Sequence, residues 1–179
     1  MAKGDSKLME QFMFDTCAFN HVIEQDIDLE VVKPKGNFFV THVQRDEIKN
    51  CKNEQKQTQL LELFVLLHNG STPTESLVLG VSSLGEAKLS NNTVPTTSAV
   101  WGVSKWGEAQ WTDSKTSFYE AIKSDLDQIK RKPNNIQDAL IGETALKNKF
   151  ILVTDDTILS EVMKKYGCQV KTLSEFSTS

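Results

Sequence analysis

The sequence predicts an α/β protein built on a short parallel sheet with helices over both faces. Three observations predict it. Short, mostly apolar runs occur at 12–14, 37–41 and 150–154, each bounded by polar or turn-forming residues. Such runs lack the in/out alternation of a half-exposed strand and suit strands buried on both faces. Segments with apolar residues at roughly helical spacing separate them, and a helical crossover is what parallel pairing requires. Finally, 179 residues are enough for one domain to bury a core without cross-links.

Taken in order, Phe12-Met13-Phe14 gives the first strand and runs into Asp15; residues 16–25 are helix-compatible. Asn37-Phe38-Phe39-Val40-Thr41, behind Pro34 and Gly36, gives the second strand. Over residues 41–68, Ile48, Leu60, Leu61, Phe64 and Leu67 recur among charged residues at roughly helical spacing, and Asn69-Gly70 stops that helix. Residues 117–132 form a further helix ended by Pro133, and Asn134 or Asn135 caps the next, which runs to about residue 147. Phe150-Ile151-Leu152-Val153-Thr154 is the clearest strand. A helix over 157–166 follows, with Lys164 and Lys165 in its last turn and Gly167 placed for its C-cap. Residues 168–173 are expected to add a final strand.

The segment 70–114 departs from this pattern, being rich in Ser, Thr and Gly with few charges. It contains an internal repeat: residues 77–90 align without a gap on 99–112, with identity at Val78/Val100, Gly80/Gly102, Val81/Val103, Ser82/Ser104, Gly85/Gly107, Glu86/Glu108 and Ala87/Ala109. Large apolar residues recur every five positions, at Leu79, Leu84 and Leu89 and then at Trp101, Trp106 and Trp111. A spacing of five matches neither the helical nor the strand period, so each copy is expected to turn at a glycine. The expectation is two related β-hairpins inserted at 70–114 into a domain formed by 1–69 and 115–179. Hairpin packing accounts for the apolar residues most simply, and the sharper readings are a platform led by Trp106 for stacking unpaired bases or the anchors of a homodimer interface.

Composition narrows function little. Hydrophobic residues make up 39% and charged residues 25% of the chain, as in ordinary globular proteins. The formal net charge of −4 gives no general attraction for nucleic acid, which is usually met by a basic domain. Cys17, Cys51 and Cys168 are widely spaced and form no C-x-x-C pair, which indicates neither a disulfide framework nor a zinc knuckle and suits a reducing cytoplasm. Residues 1–11 hold no apolar stretch of signal-peptide length, and no run of about 18 apolar residues occurs anywhere. A cytoplasmic protein with no membrane partner is expected.

The acidic residues carry more information. Asp15 ends the first strand, and Asp155 and Asp156 follow the apolar run at 150–154. In a parallel sheet these positions share one edge, the carboxyl edge at which open α/β sheets bind ligands. Glu47 falls in the first turns of the helix after Thr41 and Asp138 in the first turn after the cap near Asn135, so both helices can bring a carboxylate to that edge. Each acid alone has an ordinary role as a cap or helix-N-terminal charge. Four together would repel one another unless cations were bound. An all-oxygen donor set without paired His or Cys is the pattern of Mg2+ or Mn2+.

Four segments in this order resemble the PIN domain family of nucleases, named for the PilT N-terminus. They are Phe14-Asp15-Thr16, Val40-Thr41-His42-Val43-Gln44-Arg45-Asp46-Glu47-Ile48, Asp138-Ala139-Leu140-Ile141 with Ala145, and Leu152-Val153-Thr154-Asp155-Asp156. The resemblance implies a three-layer α/β/α fold with a short central parallel sheet, here carrying a β-hairpin insertion. It implies catalytic roles for Asp15, Glu47, Asp138 and Asp156, with Asp15, Asp138 and Asp156 holding Mg2+ or Mn2+, and accessory places for Thr16, Thr154 and Asp155. It implies an endoribonuclease acting on RNA, and, as in toxins of this family, an inhibitory protein partner; the insertion sets this chain apart from those compact toxins. Candidate phosphate contacts are Arg45, Lys49 and Lys52 beside Glu47 and the run Lys130-Arg131-Lys132, charges that a solvated helix face explains about as well.

Other classes fit less well. A phosphate-accepting receiver domain needs its acidic pair after the first strand, whereas Asp155-Asp156 comes near the end. Haloacid-dehalogenase-like phosphatases need Asp-x-Asp at the first strand, and Asp15-Thr16-Cys17 lacks it. A module that binds RNA or protein without cutting has no use for converging carboxylates. A structure-selective DNA nuclease stays open.

Overall fold

The computed structural model describes residues 9–25, 27, 35–67, 71–78, 80–82, 85–87 and 118–178. Strands β1 (Glu10–Phe14), β2 (Gly36–Phe39), β3 (Ile151–Val153) and β4 (Val170–Lys171) form one sheet in the order β2-β1-β3-β4, with every pair parallel. Helix α1 (Thr16–Glu24) follows β1, α2 (His42–Lys49) and α3 (Glu54–Leu67) follow β2, and α4 (Phe118–Ile129) and α5 (Asn135–Asn148) precede β3. Helix α6 (Thr157–Lys165) links β3 to β4, and α7 (Leu173–Thr178) comes last.

The alternation of side chains along the strands sorts the core into two layers. Phe12, Phe14, Phe38, Ile151 and Val153 face a cluster with Phe19 and Val22 of α1, Ile48 of α2, Leu60, Leu63, Phe64 and Leu67 of α3, and Leu173 and Phe176 of α7. Met13 and Leu152 point the other way, to Tyr119, Ile122 and Leu126 of α4, Leu140 and Ile141 of α5, and Leu159, Val162 and Met163 of α6. The sheet is thus covered on both faces, as the apolar runs predict. No helix among the described residues is long and apolar enough to cross a membrane.

Three local expectations are corrected. The stretch expected as one helix over 41–68 is two. Asn50 ends the first by donating its N–H to the carbonyls of Asp46 and Glu47, and the Asn53 side chain accepts from Lys56 N at 3.0 Å to start the second. Capping by short polar side chains outcompetes continuation. Asn134 stands at the N-cap of α5 with φ −88° and ψ 4°, not the extended backbone of a side-chain cap, and makes no cap bond, while Asn135 bonds the Asp127 carboxylate and the Lys130 carbonyl. The final strand covers only 170–171, since Thr172 and Glu175 close a reciprocal capping box that starts α7. That helix seats Phe176 edge-on against Phe12, Phe14 and Phe38.

The insertion is described only in part, and Trp101, Trp106, Trp111 and the second repeat copy lie outside the described residues. Its described residues form isolated parallel bridges, Val40 with Ser71 and Thr74 with Ala87, with Val78 and Val81 packed on the second core layer. The Arg45 guanidinium grips both Glu86 oxygens, at 2.7 and 2.8 Å.

Gly36 begins β2 where a side chain does not fit: a Cβ there would collide with the Glu10 carbonyl and lie 2.7 Å from the Phe12 ring. Gly36→Ala is expected to destabilise the protein by about 1–3 kcal/mol, measured as a lower urea midpoint at unchanged slope.

Candidate active site

The chain leaves β1 for β2 on one side and places β3, then β4, on the other. The carboxyl ends of β1 and β3 therefore flank the switch point of the sheet, the place where open α/β sheets bind ligands. Asp15 lies one residue beyond β1, and 154–156 lie just beyond β3.

Asp15 is 3% exposed and anchored from every side. Its N–H donates to the Val153 carbonyl at 3.0 Å, extending the sheet ladder by one bond. Its Oδ1 accepts from Thr16 N at 2.7 Å, which caps α1, and its Oδ2 accepts from Thr154 Oγ1 at 3.0 Å and Cys17 Sγ at 2.9 Å. The Thr154 hydroxyl also accepts from Asp156 N at 3.1 Å, so one buried threonine fixes both acids. Asp156 in turn N-caps α6: its Oδ1 accepts from Ile158 N at 2.9 Å and Leu159 N at 3.1 Å, and its Oδ2 accepts from Lys132 Nζ at 2.8 Å.

Glu47 is aimed from α2. A capping box between Thr41 and Gln44 starts that helix, and Gln44 Nε2 donates to the Phe14 carbonyl at 3.0 Å, tying α2 to the residue before Asp15. Thr16 Oγ1 then donates to Glu47 Oε2 in a short bond. Asp138 joins from the first turn of α5, 8% exposed.

Electrostatics show the four acids as one group. Burial raises the Asp138 carboxyl to about 8, helped by the charges of Asp15, Glu47 and Asp156 and opposed by Lys132. Burial raises Glu47 to about 7, against the Thr16 bond and with the charge of Asp15. Asp15 is also raised by burial, with the bonds from Cys17, Thr154 and Thr16 pulling the other way. For Asp156 burial acts upward too, but the Lys132 ammonium and the Leu159 and Ile158 N–H groups outweigh it and hold the carboxyl below its ordinary value. Beside Asp15, burial pushes the Cys17 thiol up to about 12.

The sequence candidates thus separate. Asp15, Glu47, Asp138 and Asp156 lie near enough to act on one another's charge, with Thr16 donating to Asp15 and Glu47 and Thr154 donating to Asp15. Asp155 turns away, bonding His21 Nδ1 at 2.6 Å and Leu173 N at 3.0 Å. Arg45 is engaged by Glu86 and Asp46. Lys49 ends α2, Lys52 lies beyond it in the connection to α3, and Lys130 and Arg131 are exposed. Lys132 points into the acidic group. Sequence reasoning missed Gln44 and Cys17. The Thr41-x-x-Gln44 spacing signals a capping box; Cys17 carries no comparable signal.

No three or more His, Cys, Asp or Glu side chains among the described residues stand as a ready-made metal-ligand set. The chemistry of the donors nonetheless fits a hard divalent cation: buried carboxylates whose charges raise one another's proton affinity gain most from a positive ion.

No family model and no curated protein sequence matches the chain. Among solved structures it is similar to a chain of the crystal structure of VapBC2 from Rickettsia felis bound to a DNA fragment from their promoter, with a TM-score of 0.50 and 13% identity over 90% of this chain and 98% of that one. At such identity the likeness shows the fold, a PIN-like parallel sheet flanked by helices.

The raised carboxyls carry a stability prediction. Asp138 and Glu47 bind protons more tightly folded than unfolded, so their contribution is complete at acid pH and is lost as pH rises through about 7 for Glu47 and about 8 for Asp138. Asp138→Asn removes the larger part. Without divalent ions its melting midpoint at pH 8.5 is expected to exceed that of the parent by roughly 5 °C, with the difference shrinking at pH 5. Equal midpoints at both pH values, read by calorimetry, would contradict the electrostatic account.

Proposed function

We propose that the chain is a metal-dependent endoribonuclease that hydrolyses phosphodiester bonds of RNA at this pocket. One observation carries the reading: carboxylates from four separate segments, Asp15 and Asp138 buried and Glu47 and Asp156 partly so, gather at the switch point of a PIN-like sheet, an arrangement costly to the fold and useful for holding a cation. Asp15 and Asp138, with Asp156 beside them, are the groups that would hold Mg2+ or Mn2+. When bound, that ion supplies a water of lowered pKa and offsets charge on the phosphodiester.

The protein groups have distinct work. Glu47, with its carboxyl raised to about 7 and Thr16 Oγ1 fixing its Oε2, is suited to accept a proton from the attacking water near neutral pH. Thr154 and Cys17 hold Asp15 Oδ2 in place. The exposed Lys49, Lys52, Lys130 and Arg131 are assigned to backbone phosphates, and Trp106 to base stacking. The likeness to a VapBC2 structure supports a protein partner as part of the same reading.

The test is incubation of labelled RNA and DNA with and without Mg2+ or Mn2+. Metal-dependent cleavage of RNA is expected, abolished by chelation. Asp15→Asn is expected to lose activity by at least about a hundredfold, beyond the usual effect of a group one shell removed from the metal, with its circular dichroism unchanged. Retained activity in that variant removes Asp15 from the centre. Equal cutting of DNA moves the substrate class, and RNA bound but never cut supports a binding module instead.

A further inference from the structure

We infer that Lys132 is a built-in cation of the acidic pocket, so that the site takes one divalent ion, held by Asp15 and Asp138, while Asp156 serves the lysine and helix α6. The inference rests on the metal-dependent reading of the same pocket and fixes how many ions it holds.

The placement of Lys132 is built rather than incidental. Its side chain is 25% exposed and its Nζ lies 2.8 Å from Asp156 Oδ2. The loop that carries it is locked by Asn135, 2% exposed, whose Nδ2 donates to the Lys130 carbonyl at 2.9 Å and to Asp127 Oδ1 at 2.8 Å. The Asn135–Asp127 bond anchors the loop to α4, where an i,i+4 pair with Lys123 at 2.6 Å holds the Asp127 carboxylate in place. Pro133 follows directly and biases Lys132 toward extended backbone. A buried asparagine, an ion pair and a proline thus hold the loop that sends the ammonium toward Asp156.

The kind of donor at Asp156 points the same way. Asp156 and Asp15 each receive three donors, but at Asp156 two are backbone N–H groups of α6 on Oδ1 and the third, on Oδ2, is the Lys132 ammonium. An ion coordinated at Oδ2 would stand against that positive charge. Among the described residues no ammonium or guanidinium is hydrogen-bonded to Asp15 or Asp138, and Asp15 is met by neutral donors, Thr16 N, Thr154 Oγ1 and Cys17 Sγ. Lys132 also acts on Asp15 and Asp138 through space. A second divalent ion near Asp156 would therefore meet a fixed positive charge, whereas an ion between Asp15 and Asp138 meets two carboxylates.

Mn2+ binding to the whole protein, followed by calorimetry and by electron paramagnetic resonance, tests this without reference to turnover. The parent is expected to bind one Mn2+ per chain. Asp15→Asn should abolish that binding, and Asp156→Asn, which keeps a capping side chain, should weaken it less than threefold. Lys132→Met should bind a second ion or bind the first at least tenfold more tightly, while Lys132→Arg keeps the parent stoichiometry. Two ions in the parent, or loss in Asp156→Asn equal to that in Asp15→Asn, overturns the inference. If Lys132→Met fails to fold, Asp156→Asn and the parent stoichiometry still decide. Two ions together with metal-dependent RNA cleavage would overturn only this inference; no Mn2+ bound and no cleavage would overturn the nuclease reading with it.

Discussion

Burying the Asp15 carboxylate at the end of β1 constrains most of what surrounds it. A carboxylate taken out of water without compensation is costly, and here three neutral donors, Thr16 N, Thr154 Oγ1 and Cys17 Sγ, replace its lost hydration. They depend on two pieces of architecture, helix α1 for Thr16 and Cys17 and the strand pairing for Thr154. Thr16 N is available because α1 starts immediately. Thr154 is available because β3 pairs with β1 in the register that sets Phe14 opposite Val153. Shifting that register by one residue would swap Ile151 and Val153 with Leu152 between the two core layers and pull the hydroxyl away from the acid at once. Packing and site are therefore specified by the same pairing.

The same coupling explains why helix starts recur around the pocket. Asp15 caps α1, Asp156 caps α6, and the Thr41–Gln44 box starts α2 while reaching the Phe14 carbonyl. A helix N-terminus carries unsatisfied N–H groups and a partial positive charge, so capping stabilises the acids it employs. Capping at Asp156 adds to the Lys132 ion pair and holds that carboxyl low, whereas burial and neighbouring charges leave Asp138 and Glu47 high. The pocket thus divides into a neutralised side and a proton-retaining side, and an incoming cation gains most on the latter.

How much of this was legible follows from how local each signal is. The strands at 12–14 and 150–154 and the acids that follow them could be read because runs of apolar residues and their terminating carboxylates lie side by side in the chain. The break between α2 and α3 could not, because the apolar residues continue at helical spacing on both sides and the competition is settled by Asn50 and Asn53. Helix α7 was hidden although Thr172-x-x-Glu175 and the apolar pair Leu173 and Phe176 announce it, since six residues give too little periodicity to outweigh a strand reading. The sequence groups Lys132 with Lys130 and Arg131 as a candidate phosphate contact and gives no sign that it turns to Asp156, because the loop that carries it is held by Asn135 contacting Asp127 eight residues away.

The distribution of cations bears on how an acidic chain could take a polyanion, as the proposed function requires. The chain carries a formal charge of −4, and several of its cations are spent within the fold: Arg45 on Glu86, Lys132 on Asp156, Lys123 on Asp127, Lys165 on Asp125. A polyanion approaching the pocket would meet buried carboxylates whose field the lysine only partly offsets. In the proposed function the divalent ion thus has a second task before any chemistry: it reverses the sign of the potential at the crevice, so substrate affinity and ion occupancy are thermodynamically linked, each favouring the other by the same factor. That linkage would keep an RNA strand from settling into the pocket before the ion is in place.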